Sequence, residues 1–184
     1  MTDLSAVQTL QNQAQAAYQA GDFRKAADGF VSASRQLQSQ GDELSAAEMR
    51  NNASVALMRA GDARAALSAC EGTDALFAAA GDLRRQAIAL GNQAAALEGM
   101  GNWKAALDKY EHSADLLERV GDKELAGITY QSLSALQLKH NRQFDAMASM
   151  QASLASKPSL TTKENLLRRL IRLAVQLVQR PPSI

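Results

Sequence analysis

A two-residue signal returns every 20 residues along this chain. Gly-Asp stands at Gly21-Asp22, Gly41-Asp42, Gly61-Asp62, Gly81-Asp82 and Gly121-Asp122. Gly101-Asn102 fills the gap in that series, and Asn141-Arg142 falls on the next beat. The pair has a physical meaning. Glycine just past a helix adopts the left-handed conformation that closes its C-terminus. Asp or Asn immediately afterwards accepts a hydrogen bond from an orphan N–H of the next helix and favours its positive dipole end. Between beats the sequence is helix-compatible for about 18 residues, about 27 Å of helix. Turns this short make neighbouring helices antiparallel.

The residues between the beats suit that reading. Aromatics make up only 4% of a chain that is 46% hydrophobic, so the apolar mass is chiefly alanine and leucine, both strong helix formers. The three prolines are Pro158, Pro181 and Pro182, which leaves everything before residue 158 free of helix breakers of that kind.

Two kinds of helix alternate, so the full period is 40 residues. One kind, called B here, follows the first, third, fifth and seventh beats. It carries alanine at Ala26, Ala66, Ala106 and Ala146, then an apolar residue at Ala27, Leu67, Leu107 and Met147. A further core column runs through Phe30, Cys70, Tyr110 and Met150, and Phe23 and Trp103 stand near the start of their helices. The other kind, A, ends at those same beats. It carries small residues at Ala14, Ser54, Ala94 and Ser134, and Asn12, Asn52, Asn92 and Ser132 two positions earlier. Several aligned columns over four repeats describe an array of helical hairpins. Glu71-Gly72-Thr73-Asp74 interrupts the second B helix with poor helix formers and predicts a kink or fraying. Gly127 raises the same doubt, more mildly, for the fourth A helix.

The order small residue, bulky residue, glycine turn, aromatic, alanine, aromatic is found at Ala94, Leu97, Gly101, Trp103, Ala106 and Tyr110. It resembles the tetratricopeptide repeat, over residues 1 to about 157. The repeat here is longer than the family's common one and is similar to the branch seen in kinesin light chain. The resemblance implies an all-α fold: a right-handed α-solenoid of antiparallel helix pairs. The hairpins are expected at about 1–40, 41–80, 81–120 and 121–157. Residues 158–184 then form a linker, an amphipathic basic helix and a short Pro-containing tail.

That last helix differs in charge from the rest. From Thr161 to Ile184 there are Lys163, Arg168, Arg169, Arg172 and Arg180 against Glu164 alone, while the whole chain carries +1. The body before it is therefore acidic. Thr161 with Glu164 three residues later reads as a capping box. Apolar residues, among them Leu167, Leu170, Ile171, Ala174 and Val178, occupy an arc of about 200°, more than docking on one neighbour covers. The helix is expected to cap the last repeat. Pairing with a second copy, lying on an anionic membrane and folding back into the groove are the alternatives.

Little in the sequence carries chemistry. His112 and His140 stand alone, without a second histidine at metal-binding spacing. Cys70, the one cysteine, occupies a core column, so it reads as an inert buried thiol. No phosphate-binding loop or nucleophile elbow occurs. No enzyme, cofactor or metal is expected, and the near-neutral charge gives no case for nucleic acid. The opening residues Met1 to Ser5 lack the pattern of a signal peptide and no run of about 18 apolar residues exists, so a cytoplasmic protein is expected.

What remains is a surface. The resemblance implies that the A helices line a concave face that holds peptides. Candidate contact residues there are Gln8, Gln11, Asn12, Gln15 and Tyr18 in the first hairpin, and Asn51, Asn52, Val55 and Arg59 in the second. The third contributes Ile88 and Asn92, and the fourth Ile128, Gln131 and Leu138. This face runs from amides to apolar residues. Amides bond the backbone of an extended peptide without demanding its sequence. The same asparagines could instead hold the helices in register, and both roles stay open. The family's clamp for chaperone C-termini is not expected, because Gln11, Ile88 and Asn92 stand where it has basic residues. The expected function is a scaffold or adaptor for another protein or peptide. A homo-oligomer built through the C-terminal helix and a peripheral membrane adaptor are the alternatives.

Overall fold

The computed structural model describes residues 3–179, with side chains from 6 to 175, and its described residues are helical with no strand. Ten helices follow one another. They are α1 (Asp3–Gln19), α2 (Phe23–Ser39), α3 (Glu43–Arg59), α4 (Ala63–Cys70), α5 (Thr73–Ala79), α6 (Leu83–Gly99), α7 (Trp103–Arg119), α8 (Lys123–Lys139), α9 (Gln143–Ser156) and α10 (Thr162–Gln179). Helices α1, α3, α6 and α8 are the A type. Helices α2, α4 with α5, α7 and α9 are the B type.

Each beat is a joint that serves two helices at once. Gly21, Gly41, Gly61, Gly81, Gly101 and Gly121 all have φ between 71° and 81°, and Asn141 takes their place with φ 58°. The residue after each donates its backbone N–H to a carbonyl five residues back, as in Asp42 to Leu37 (3.0 Å), Asp82 to Phe77 (2.9 Å) and Arg142 to Gln137 (2.9 Å). This is the Schellman closure of the helix behind. The same residue then opens the helix ahead. The carboxylates of Asp22, Asp42, Asp62, Asp82 and Asp122 accept the N–H three residues on, at 2.8–3.2 Å. The carboxyl of Asp82 is held below its usual range by the N–H and then the guanidinium of Arg85. Asn102 and Arg142 make no such side-chain cap.

Within hairpins the contacts are antiparallel. Ser134 Oγ donates to the Ala146 carbonyl (2.8 Å) and Ser153 Oγ to the Gly127 carbonyl (2.9 Å), so contacts move up one helix as they move down the other. Small residues permit the approach. A Cβ added at Gly29 would lie 2.8 Å from that of Ala14, and one at Gly127 would lie 3.1 Å from that of Ser156. Gly127 does not interrupt α8, which runs unbroken through it. There α9 crosses so closely that a Cβ would require Ser156 to give by a few tenths of an ångström. The core falls into several separate apolar clusters, as expected when each repeat packs mainly on its neighbours.

The predicted weak spot is a full break. Gly72 takes φ 77° and splits the second B helix into α4 and α5. Carbonyls released there are satisfied by long polar side chains from the flanking A helices. Arg50 donates Nε to Ala69 O (2.9 Å) and a terminal nitrogen to Glu71 O. Gln93, buried, donates to both Cys70 O (3.0 Å) and the Asp74 carboxylate (2.8 Å). Thr73 Oγ1 closes on Cys70 O at 2.7 Å.

The capping box of α10 is present. Thr161 N–H donates to Glu164 (2.8 Å) and Glu164 N–H to Thr161 Oγ1 (3.3 Å), while Lys157 pairs with the Glu164 carboxylate. Lys157 first, then Thr161, brings the Glu164 carboxyl down to about 2. Helix α10 packs chiefly on α9, with Ile171 buried. Among the described residues no helix is long and apolar enough to cross a membrane.

Two outcomes follow for thermal unfolding. Asp62→Ala removes the carboxylate that accepts from Ala65 N and is expected to cost about 1 kcal/mol. Asn102→Asp supplies the cap that α7 lacks and is expected to raise the melting temperature. Arg50→Ala leaves Ala69 O without its donor and is expected to cost about 1–3 kcal/mol, while Gln93→Leu, after which Cys70 O keeps Thr73 Oγ1, is expected to cost about 1 kcal/mol, both read by urea denaturation.

Candidate functional site: the A-helix face

The four A helices lie side by side, joined by polar contacts between neighbours. Gln11 Nε2 reaches Met49 Sδ at 3.4 Å, linking α1 to α3. Asn92 Nδ2 stands 3.5 Å from Asn51 Oδ1, and Arg85 stands 3.5 Å from Glu48, linking α3 to α6. Arg84 meets Asp122 at 2.8 Å, linking α6 to α8. Arg84 is near the start of α6 and Asp122 caps α8, so these two helices run in the same direction.

The candidate residues separate into three groups on this framework. The first is structural. Asn51 is only 5% exposed and accepts from Thr73 Oγ1 at 3.2 Å, which removes it from the candidate surface. Together with Asn92 it links α3 to α6, the register role that Asn12, Asn52 and Asn92 were expected to share. Tyr18 and Arg59 are also engaged. The Tyr18 and Phe23 rings meet edge to face at 5.3 Å, and the Arg59 guanidinium lies 4.8 Å from the Phe23 ring centre. A matching contact recurs two hairpins later, where His140 stacks on Trp103 at 4.3 Å. In both, the aromatic that starts a B helix is covered by the end of the next A helix.

The second group is available amide. Gln8 and Asn12 are exposed and bond one another at 3.1 Å along α1. Gln15 is exposed as well. Asn52 is half-buried and makes no side-chain hydrogen bond among the described residues, so its donor and acceptors are uncommitted. Asn92 has only its long contact to Asn51.

The third group is apolar and gathers toward the far end. Ile88 and Asn92 of α6 converge with Ile128 and Ser132 of α8 on a cleft of about 210 Å³. Tyr110, Ser113 and Leu117 of α7 complete its lining. The Tyr110 hydroxyl points at Glu98 Oε2, 3.4 Å away, and burial, then Glu98, raises its pKa. On the other side of α8, Ile128 and Gln131 border a larger cleft of about 750 Å³. Gly127, Ala155, Ser156, Lys157 and Pro158 share it. Ile128 and Leu138 are more than half exposed, and Val55 is 37% exposed.

The contribution of α7 and α9 to these clefts was not read from the sequence. The signal was present in Gly91 and Gly127, small residues on A helices that let the groove reach down to the B layer. Among the described residues no group of three histidine, cysteine, aspartate or glutamate side chains stands close enough to hold a metal ion. Cys70 is buried, and burial raises its thiol pKa, which opposes nucleophilic use. Of the tail-helix candidates, Ile171 is buried, Ala174 half-buried, and Leu167 and Leu170 exposed. Val178 lies outside the described side chains. No family model matches this chain, and no curated protein does.

Proposed function

We propose that this chain is a tetratricopeptide-like α-solenoid that acts as a protein-interaction scaffold. In this reading it holds an extended peptide or a helix of a partner protein along its A-helix face. The supporting observation is the convergence of Ile88, Asn92 and Ile128 on one cleft, with exposed amides at Gln8, Asn12 and Gln15 on α1. Amides satisfy the backbone of an extended chain, and the apolar cleft takes one or two side chains. Affinity then comes from backbone bonding and specificity from the cleft. Nothing on this face supplies an acid–base pair or a nucleophile with its base, so binding is the activity proposed.

A displayed peptide library selected on the intact chain tests the reading. Selected peptides are expected to lose binding by about tenfold or more, roughly 1.4 kcal/mol, to an Ile88→Glu, Ile128→Glu variant whose circular dichroism is unchanged. Ile128 is exposed and Ile88 half-buried, so the unchanged circular dichroism is the condition on which the comparison rests. Peptides that bind this variant as tightly as the intact chain would remove the A-helix face as the site.

A further inference from the structure

The joints that lead from an A helix into a B helix touch one another in series. The Arg59 guanidinium, at the end of α3, lies on the ring of Phe23 at the start of α2. A Cβ on Gly99, at the end of α6, would lie 2.8 Å from that of Ala63 at the start of α4. His140, just past α8, stacks on Trp103 at the start of α7. Each of these A-helix ends rests on the start of the B helix one hairpin before it and leads straight into its own. The four joints, at 19–25, 59–65, 99–105 and 139–145, therefore form one edge.

That edge is basic. It carries Arg24 and Lys25, then Arg59 and Arg64, then Lys104, then Lys139, all of them exposed. None has a carboxylate partner among the described residues. The carboxylates of the edge are already engaged. Asp22 and Asp62 cap α2 and α4, and Asp145 pairs with Arg142. A chain of net charge +1 thus gathers six cations without an ion pair along one line.

The fold gives no reason for four of them. Arg24 and Lys25 are the second and third residues of α2, Arg64 is the second of α4 and Lys104 the second of α7. A cation there stands at the positive end of the helix dipole, where a carboxylate is favoured. None of these three helices has an acidic residue in its first turn, whereas α3 and α8 have Glu43 and Glu124. The first-turn arginines of α6 are paired, Arg84 with Asp122 and Arg85 with Asp82. The unfavourable charge recurs in one column, at Arg24, Arg64 and Lys104, forty residues apart.

An anion bound from outside offsets that cost, and the edge favours carboxylates on a protein chain. Two of the cations are steadied on rings, Arg59 at 4.8 Å from the centre of Phe23 and Lys104 at 5.7 Å from that of Trp103. Cations held in place suit discrete carboxylates, which they meet in short charge-assisted hydrogen bonds. A bilayer would need apolar side chains to insert along the edge, and the first two joints expose no large one among the described residues. A single nucleic-acid strand would need open ring faces for its bases, and Phe23 and Trp103 are covered by Arg59 and His140. We propose that this edge binds an acidic segment of a partner protein, whose carboxylates pair with Arg24, Arg64 and Lys104 in turn. The edge is separate from the cleft of Ile88 and Ile128 and does not rest on the reading given for it.

The probe is a fluorescein-labelled oligoglutamate of about 20 residues, roughly 65 Å when extended. Binding to the full chain is read by fluorescence anisotropy at low salt, where exposed charges are least screened. An Arg24→Glu, Arg64→Glu, Lys104→Glu variant is expected to bind it about tenfold or more weakly. The same variant is expected to melt at an equal or higher temperature, because glutamate suits a first turn. An Arg35→Glu, Lys123→Glu, Lys163→Glu control makes the same change in net charge at exposed residues elsewhere and is expected to keep most of the affinity. Absence of binding, or equal loss in the two variants, would overturn the proposal. Loss of binding together with a lower melting temperature would assign these cations to the fold instead. Vesicles of equal phosphatidylcholine and phosphatidylserine, or an oligothymidylate, bound more tightly than the oligoglutamate and released by the edge variant, would overturn it in favour of a membrane or of nucleic acid.

Discussion

Every helix boundary between residues 20 and 142, apart from the break at Gly72, depends on one joint in which a single residue finishes one helix and begins the next. Its backbone N–H closes the helix behind, and in five of the seven joints its carboxylate caps the helix ahead. The glycine before it supplies the positive φ that turns the chain back. Because the joint has constant length, helices of matched length follow one another and each packs on its neighbours in the chain.

The break at Gly72 shows how such an array absorbs a local fault. Splitting a B helix frees backbone carbonyls, and one left buried without a donor costs about 1–3 kcal/mol. Arg50 and Gln93 reach in from the A helices on either side and take up those carbonyls. Asn51 and Thr73 complete the arrangement. This polar centre ties α3, α4, α5 and α6 together, and it removes Asn51 from the exposed face.

Much of the fold was legible because the constraint repeats. A lone Gly-Asp says little, whereas a series at constant spacing marks helix boundaries and the A and B types, and the poor helix formers at 71–74 marked a kink or fraying where the helix in fact breaks. Three matters were less legible. Gly127 read as a weakness, since a sequence does not say which glycine faces a crossing helix; here the nearest would-be contact is Ser156. Asn51 and Asn52 are adjacent in sequence and both polar, yet the one-residue step of about 100° puts the first inside and leaves the second half-buried. Helix α10 was read from its charge, which set it apart. Which of its apolar residues would meet α9 was not legible, and Ile171 is the buried one among the described side chains.

The joint is tested most directly by native-state hydrogen exchange at the amides of Asp42, Asp62, Asp82 and Asp122. Each donates to a carbonyl five residues back at 2.9–3.0 Å. If these bonds hold the array, the four amides exchange only when the adjoining helices open, with free energies matching those of the helix interiors on either side. Exchange at the rate of an unstructured peptide, while the flanking helices stay protected, would show that the turns are passive links and that helix packing alone sets the fold.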